Sequence, residues 1–178
     1  MIKILIGLGF VLFDFNISLN SSVIGIFPDL IGYLLIFWAA MQFSEKIERF
    51  STLKIWSLIS ALFSAAVYVL NIIGLPLHRT ISFSLEIIGI LLELIVIRTI
   101  INCISDIEKY FDCKLGSLAL SRCYTLVIVS DILVMSSRYI EYISLICLIL
   151  HFIVSLVFLI LFNRSRIRTE SAFSTLRE

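Results

Sequence analysis

Six long apolar runs divide this chain, and its basic residues occupy alternate connectors between them. Lys3 precedes the end of the first run, and Lys46, Arg49 and Lys54 lie between the second and third. Lys109, Lys114 and Arg122 lie between the fourth and fifth, and Arg164, Arg166, Arg168 and Arg177 follow the sixth. Arg98 lies near the end of the fourth run that faces the same side, which leaves only Arg79 and Arg138 opposite. Retained basic residues mark the cytoplasmic side of a membrane protein. Lipid also demands that backbone polar groups be satisfied within each crossing segment. The pattern therefore predicts an all-α integral membrane protein with six transmembrane helices, its N-terminus and C-terminus both cytoplasmic.

Composition agrees. A soluble domain is about 45–50% apolar and about 25% charged, whereas this chain is 60% hydrophobic and 15% charged, with mean hydropathy +1.09. A soluble fold of 178 residues could not hide that much apolar surface. At about 20 residues per crossing, six spans use nearly the whole chain and leave no room for a soluble catalytic domain. The spans fall at about 2–19, 28–47, 54–75, 81–104, 118–137 and 139–162. Residues 1–162 form a single six-helix transmembrane domain, and 163–178 form a basic cytoplasmic tail, either laid on the anionic inner leaflet or disordered. Met1 to Phe13 mimics a signal peptide, but no small-x-small cleavage site follows, so it counts as the first span. The second span can be drawn from Val23 with Pro28 inside it. The preferred reading starts at Pro28, a favoured first helical position, with Asp29 in the first turn where the helix dipole welcomes negative charge. Phe15 to Phe27 then becomes a partly apolar segment on the outer surface. The four cysteines, Cys103, Cys113, Cys123 and Cys147, form no Cys-x-x-Cys pair and read as free thiols.

Polar residues recur within the spans at helical spacing, which puts them on one face. The stripes are Ser57, Ser60, Ser64, Tyr68 and Asn71 in span three, with Ala61 and Ala65 beside them. In span five they are Ser117, Ser121, Thr125 and Asp131, and in span six Ser144, Cys147, His151 and Ser155. Small and hydroxyl residues allow close helix approach in a membrane, so these faces are expected to point into the bundle.

Ionisable residues in the spans are costly, at about 2.5–3.5 kcal/mol for a charge at the bilayer centre on insertion scales. Glu93 and His151 fall near the middle of spans four and six, Glu86 lies two turns from Glu93 on the same face, and Asp131 lies in the outer third of span five. Arg98 is five residues past Glu93, a poor intrahelical spacing, and is expected to snorkel to the cytoplasmic headgroups. His151 is the expected partner of Glu93, at matched depth. Such a pair either locks helix register or handles a proton or cation. The outer half is acidic, with Asp14, Asp29, Glu86, Asp131 and Glu141 against Arg79 and Arg138. That balance suits an outward vestibule that attracts cations, although Asp131, Glu141, Arg79 and Arg138 also suit ordinary interface positions. The candidate ligand- or cation-binding residues are therefore Glu93, His151, Glu86, Asp131, Asp29 and Asp14.

The sequence carries no Gly-rich phosphate loop, no Ser/His/Asp ordering, no His-Glu-x-x-His zinc motif and no sign of a cofactor. Nucleic-acid binding has no support, because membrane sidedness accounts for the basic tail. Glu93, Arg98 and His151 resemble in part the CAAX-protease-like intramembrane peptidases. Leu94 stands where their second glutamate would be, and their Phe-x-x-x-His is missing. An agr-type processing peptidase fits badly, since no Cys lies suitably close to His78.

The stretch VIGIFPDLIGYLLIFWAAMQF, Val23 to Phe43, resembles a family of small, uncharacterised integral membrane proteins of Gram-positive bacteria. Pro28, Asp29, Ile31, Gly32 and Tyr33 match its hairpin segment, Leu30 replaces an aromatic, and Gly25 stands where an Asp is often found. The resemblance covers roughly the first 55 residues and implies no activity. Ala61-x-x-x-Ala65 is similar to the docking motif of energy-coupling-factor vitamin transporter components, but on span three rather than span one. The expectation is a multi-pass protein of the bacterial cytoplasmic membrane that binds or translocates a small ligand or cation through an outward-facing polar interior. The alternative is a non-catalytic accessory, sensor or immunity-type protein acting through a membrane protein partner or a second copy.

Overall fold

The structure, a computed structural model, describes residues 1–13, 16–19, 22–25, 28–45, 47–73, 79–137 and 141–174. Among these are six helices: α1 (Ile2–Leu12), α2 (Pro28–Phe43), α3 (Arg49–Ile73), α4 (Arg79–Phe111), α5 (Ser117–Ser137) and α6 (Glu141–Ser174). A short antiparallel hairpin, β1 (Asn16–Leu19) with β2 (Ser22–Gly25), connects α1 to α2 and sets Asn16 opposite Gly25. Among the described residues, the regular structure is thus helical apart from this hairpin.

Four helices, α3 to α6, are long and apolar enough to cross a membrane. They expose bands of aliphatic side chains suited to lipid, such as Leu145, Ile149, Phe152, Leu156 and Ile160 on α6. At 1.5 Å per residue, α1 reaches about 16 Å and α2 about 24 Å, short of the roughly 30 Å hydrocarbon core. The first apolar run ends its helix at Leu12 rather than near Leu19, because Asn16–Leu19 pairs as a strand instead. α2 starts at Pro28, the preferred of the two readings, and stops at Phe43. α4 and α6 overshoot their expected ends at 104 and 162, running to Phe111 and Ser174. Residues 163–174 are therefore helix, not a loose tail.

The chain divides into two compact units, Ile2–Val96 and Ile97–Glu178 with Met1, and α4 contributes to both. In the first unit, α1 and α2 pack as an antiparallel pair whose closest point is Gly7 against Gly32. A Cβ on Gly7 would stand 2.6 Å from the Gly32 carbonyl oxygen, and one on Gly32 would stand 2.7 Å from that of Gly7. Only glycine permits backbones to meet this closely. Gly9, by contrast, has nothing within 4 Å of its Cβ position. Further along the pair, the Lys3 ammonium sits 5.0 Å from the Trp38 ring centroid. α2 turns into α3 over a short connector that Phe43 and Phe50 pin, ring centroids 5.4 Å apart. The buried face of α3 runs through Phe50, Leu53, Ser57, Ser60 and Ala61. Ser57 donates its hydroxyl to the Leu53 carbonyl, which satisfies it within its own helix.

In the second unit, α4 ends in a turn that one carboxylate organises. Asp112 takes a left-handed φ of 47°, and the Cys113 amide reaches back to the Glu108 carbonyl at 3.1 Å. That is the 6→1 bond of a Schellman stop, with Asp in the place of the usual Gly. Glu108 Oε1 then accepts from the amides of Leu115 and Gly116 at 2.6 Å and of Ser117 at 3.2 Å, while Oε2 accepts the Ser117 hydroxyl. These are orphan donors at the start of α5, where a negative charge also complements the helix dipole. Gly116, at φ +101°, supplies the backbone conformation that aims them.

Candidate functional site

α5 and α6 pack as an antiparallel hairpin. The buried face of α5 is Leu120, Cys123, Val127, Ser130 and Asp131. This face is offset from the expected stripe, for Thr125 is exposed and Ser121 is only half-buried. The expected α6 stripe does face inward, with Cys147 and Ser155 buried and His151 half-buried, and it continues through Phe158, Phe162, Ser165 and Thr169. The steps of three and four residues hold one face aligned over more than six turns.

His151 and Asp131 meet across this hairpin. Nδ1 of His151 lies 2.9 Å from Asp131 Oδ1, with side-chain exposures of 23% and 9%. Nδ1 also lies 3.2 Å from Ser130 Oγ, and Ser130 gives its own hydroxyl hydrogen to the Val127 carbonyl at 2.7 Å. Ser130 is thus an acceptor at the imidazole, so the hydrogen between them belongs to Nδ1. On the other ring edge, Nε2 lies 3.3 Å from Ser155 Oγ. The Ser155 hydroxyl can donate to a neutral imidazole or accept from an imidazolium. The ring can gain or lose a proton at Nε2 without losing a partner.

One atom of this cluster is unmatched. Asp131 Oδ2 is buried and has no hydrogen-bond partner among the described residues. A carboxylate oxygen buried without a donor is costly. It presents a ready acceptor for a proton, a water or a small cation.

Ser155, His151 and Asp131 have the connectivity of a hydrolase triad, but the surroundings oppose acyl transfer. Ser155 is 0% exposed, so a substrate carbonyl cannot reach Oγ. It lies within the long helix α6, whose backbone amides are committed to their own helical bonds and cannot form an oxyanion hole. The arrangement is a chain of hydrogen-bonded side chains, Ser155–His151–Asp131, without the access a nucleophile needs.

The other expected site residues lie elsewhere. Glu93, Glu86 and Asp29 belong to the first unit and are half-buried. Tyr33 on α2, in the same unit, is buried at 5% exposure. Glu93 was the expected partner of His151, but the two imidazole nitrogens are engaged by Asp131, Ser130 and Ser155. Asp14 lies outside the described residues, as do the side chains of Asn71, Arg79, Arg138 and Glu141. Among the described residues no three His, Cys, Asp or Glu side chains cluster as metal ligands. Cys103, Cys123 and Cys147 are buried free thiols.

Sequence reasoning missed the contributions of Ser130, Tyr33 and Glu108. Ser130 is adjacent to Asp131 and off the stripe that the regular spacing marked, so only the partner helix reveals it. Tyr33 was legible as part of the Pro-Asp-x-x-Gly-Tyr segment but carried no depth information. No protein family, curated protein or solved structure matches the chain.

Proposed function

We propose that this protein binds or translocates a small ligand or cation in a bacterial cytoplasmic membrane, with proton exchange at the His151–Asp131 pair as the coupled event. The observation that carries the reading is a buried carboxylate oxygen without a donor, beside an imidazole whose partners suit both of its protonation states. Ionisable groups kept inside apolar helices mark ion and proton pathways by default, because their insertion cost selects against them otherwise. A cation arriving at Asp131 Oδ2 neutralises the carboxylate and weakens its hold on Nδ1–H. Nε2, which faces the Ser155 hydroxyl, is the ring edge at which a proton is exchanged.

The proposed topology follows from basic-residue sidedness. Both termini are cytoplasmic, and α1 with α2 either completes six spans or forms a shallow hairpin that enters and leaves on the same side. Either arrangement keeps Lys3, Lys46, Arg49 and Lys54 inside. Glu93, Glu86, Asp29 and Asp14 are proposed, on their place in the sequence, as further acidic residues that attract cations. We carry the resemblance to the Gram-positive membrane protein family within this proposal.

The experiment is flux or binding in proteoliposomes as a function of pH, for the wild type, Asp131→Asn, His151→Gln and Glu93→Gln. Cation-dependent proton release is expected in the wild type and absent in Asp131→Asn. Its persistence at wild-type level in both Asp131→Asn and His151→Gln would sink the site. A second reading, an accessory protein acting through a partner, draws on α6. Its helix carries exposed Arg164, Ile167 and Arg168 well past membrane-spanning length. Co-purification of a stable partner, with no cation effect in any variant, would favour it.

A further inference from the structure

A second group of polar residues lies nearer the start of α5 than the His151 pair and uses different chemistry. Arg98 Nη1 donates to Ser121 Oγ at 3.3 Å, and its guanidinium carbon lies 5.9 Å from the centroid of the Tyr124 ring. Arg98 is exposed, and no carboxylate lies within ion-pair distance of it among the described residues. Its fork has five N–H donors, of which Ser121 takes one. Ser121 Oγ accepts from Arg98, and its own hydroxyl hydrogen has no acceptor among the described residues. Arg122, also exposed, is the next residue of α5 and adds a second positive charge to this end of the helix.

The depth of this group is readable from the two helices. Glu108 is bonded to the amides that start α5, so it stands level with Ser117. Arg98 is ten residues above Glu108 on α4, about 15 Å, while Ser121 is four above Ser117, about 6 Å. The long Arg98 stem spans the difference and brings its charge down toward the Glu108 end of the hairpin. That end carries Lys109 and Lys114. In the topology proposed above, a guanidinium at this level, flanked by an aromatic ring and a hydroxyl, sits where an apolar helix meets the headgroup layer. Planar bidentate donors with one added hydroxyl donor match a tetrahedral phosphate oxyanion.

We propose that Arg98, Ser121 and Arg122 form a binding site for a phosphate-bearing anion, supplied by the headgroup of an anionic phospholipid or by a free phosphate ester. Arg98 takes two oxygens through its fork, Ser121 donates to one of them, and Arg122 balances the second charge. The Tyr124 face holds the guanidinium plane in place from one side.

The test uses the full chain, purified in a neutral detergent, with phosphatidylglycerol, phosphatidylcholine and inorganic phosphate as separate probes. Retained lipid is read by native mass spectrometry, and the thermal unfolding midpoint is read for each probe. Retention of phosphatidylglycerol over phosphatidylcholine, weakened roughly ten- to a hundredfold in Arg98→Gln, supports the site and assigns it to lipid; loss of a charged hydrogen bond is worth about that factor. A midpoint raised by inorganic phosphate in the wild type but not in Arg98→Gln, without lipid retention, supports the site and assigns it to a soluble phosphate. If Arg98→Gln does not fold, Arg98→Lys and Ser121→Ala replace it, each expected to weaken the effective probe severalfold. The proposal is overturned if neither probe binds the wild type, or if the variants that fold bind as the wild type does.

Discussion

Asp131 and His151 each occupy a position that an apolar side chain would fill at less cost, and their contact is what makes them tolerable. Hydrogen bonds between membrane helices couple by about 0.6 kcal/mol on average and about 1.7 at most. A buried carboxylate hydrogen-bonded to an imidazole stands at the top of that range, because removing one member leaves the other without its partner. Asp131→Ala and His151→Ala should therefore each destabilise the protein, and the double substitution should cost less than their sum by about 1.7 kcal/mol. Unfolding in mixed detergent micelles measures this. Strictly additive losses would show that the 2.9 Å contact has no energetic content. Ionisable residues in apolar runs are easy to find by sequence alone. Their partners are not, since a depth estimate matched His151 to Glu93 while the helix hairpin gave it to a residue twenty positions away in the chain.

The elements that hold the site show how local rules combine. α5 begins where it does because Glu108 reaches from the preceding helix to cap three amides and the Ser117 hydroxyl. Glu108→Ala leaves these donors without their anion and should lower stability by about 2 kcal/mol, in the range for a charged hydrogen-bond acceptor. Glu108→Gln, which keeps one acceptor oxygen, should fall between that variant and the wild type. The measurement is the thermal midpoint followed by helical circular dichroism, and an unchanged midpoint for Glu108→Ala would refute the capping role. Helix existence was legible from the apolar runs. Helix ends were less so, because they depend on such reaches: α4 and α6 continue past their apolar stretches since polar side chains like Arg166 and Glu170, paired at 3.1 Å, sustain a helix as well as apolar ones do.

At the scale of the molecule, the sidedness of the basic residues predicts which end of the α4–α5 turn faces the cytoplasm. Cys113 reports on it. Burial, followed by the nearby charges of Glu108 and Asp112, raises its thiol above the ordinary range. Less thiolate is present near neutrality, so maleimide labelling should be slow there and accelerate as pH rises past the usual thiol value. In oriented vesicles a membrane-impermeant maleimide should label Cys113 only from the cytoplasmic face, with Cys113→Ser as the blank. Labelling from the outer face alone would invert the proposed topology. The other three cysteines are buried and should stay silent without denaturant.

The alternating charge and the apolar runs were enough to determine a helical chain suited to a membrane, because hydrophobicity and backbone satisfaction act on every residue independently of its neighbours in space. The preferred start of α2 at Pro28 was readable for the same reason, since a helix start is a local property. Pairing is different. Which of two acids meets His151, that Gly7 rather than Gly9 touches Gly32, and that Arg98 leans onto Ser121 were decided by the rotation and register of one helix against another. A single helix carries no record of its own rotation about its axis until a second helix packs against it. The basic residues announce a membrane protein, and only the packed hairpins say which polar groups it uses.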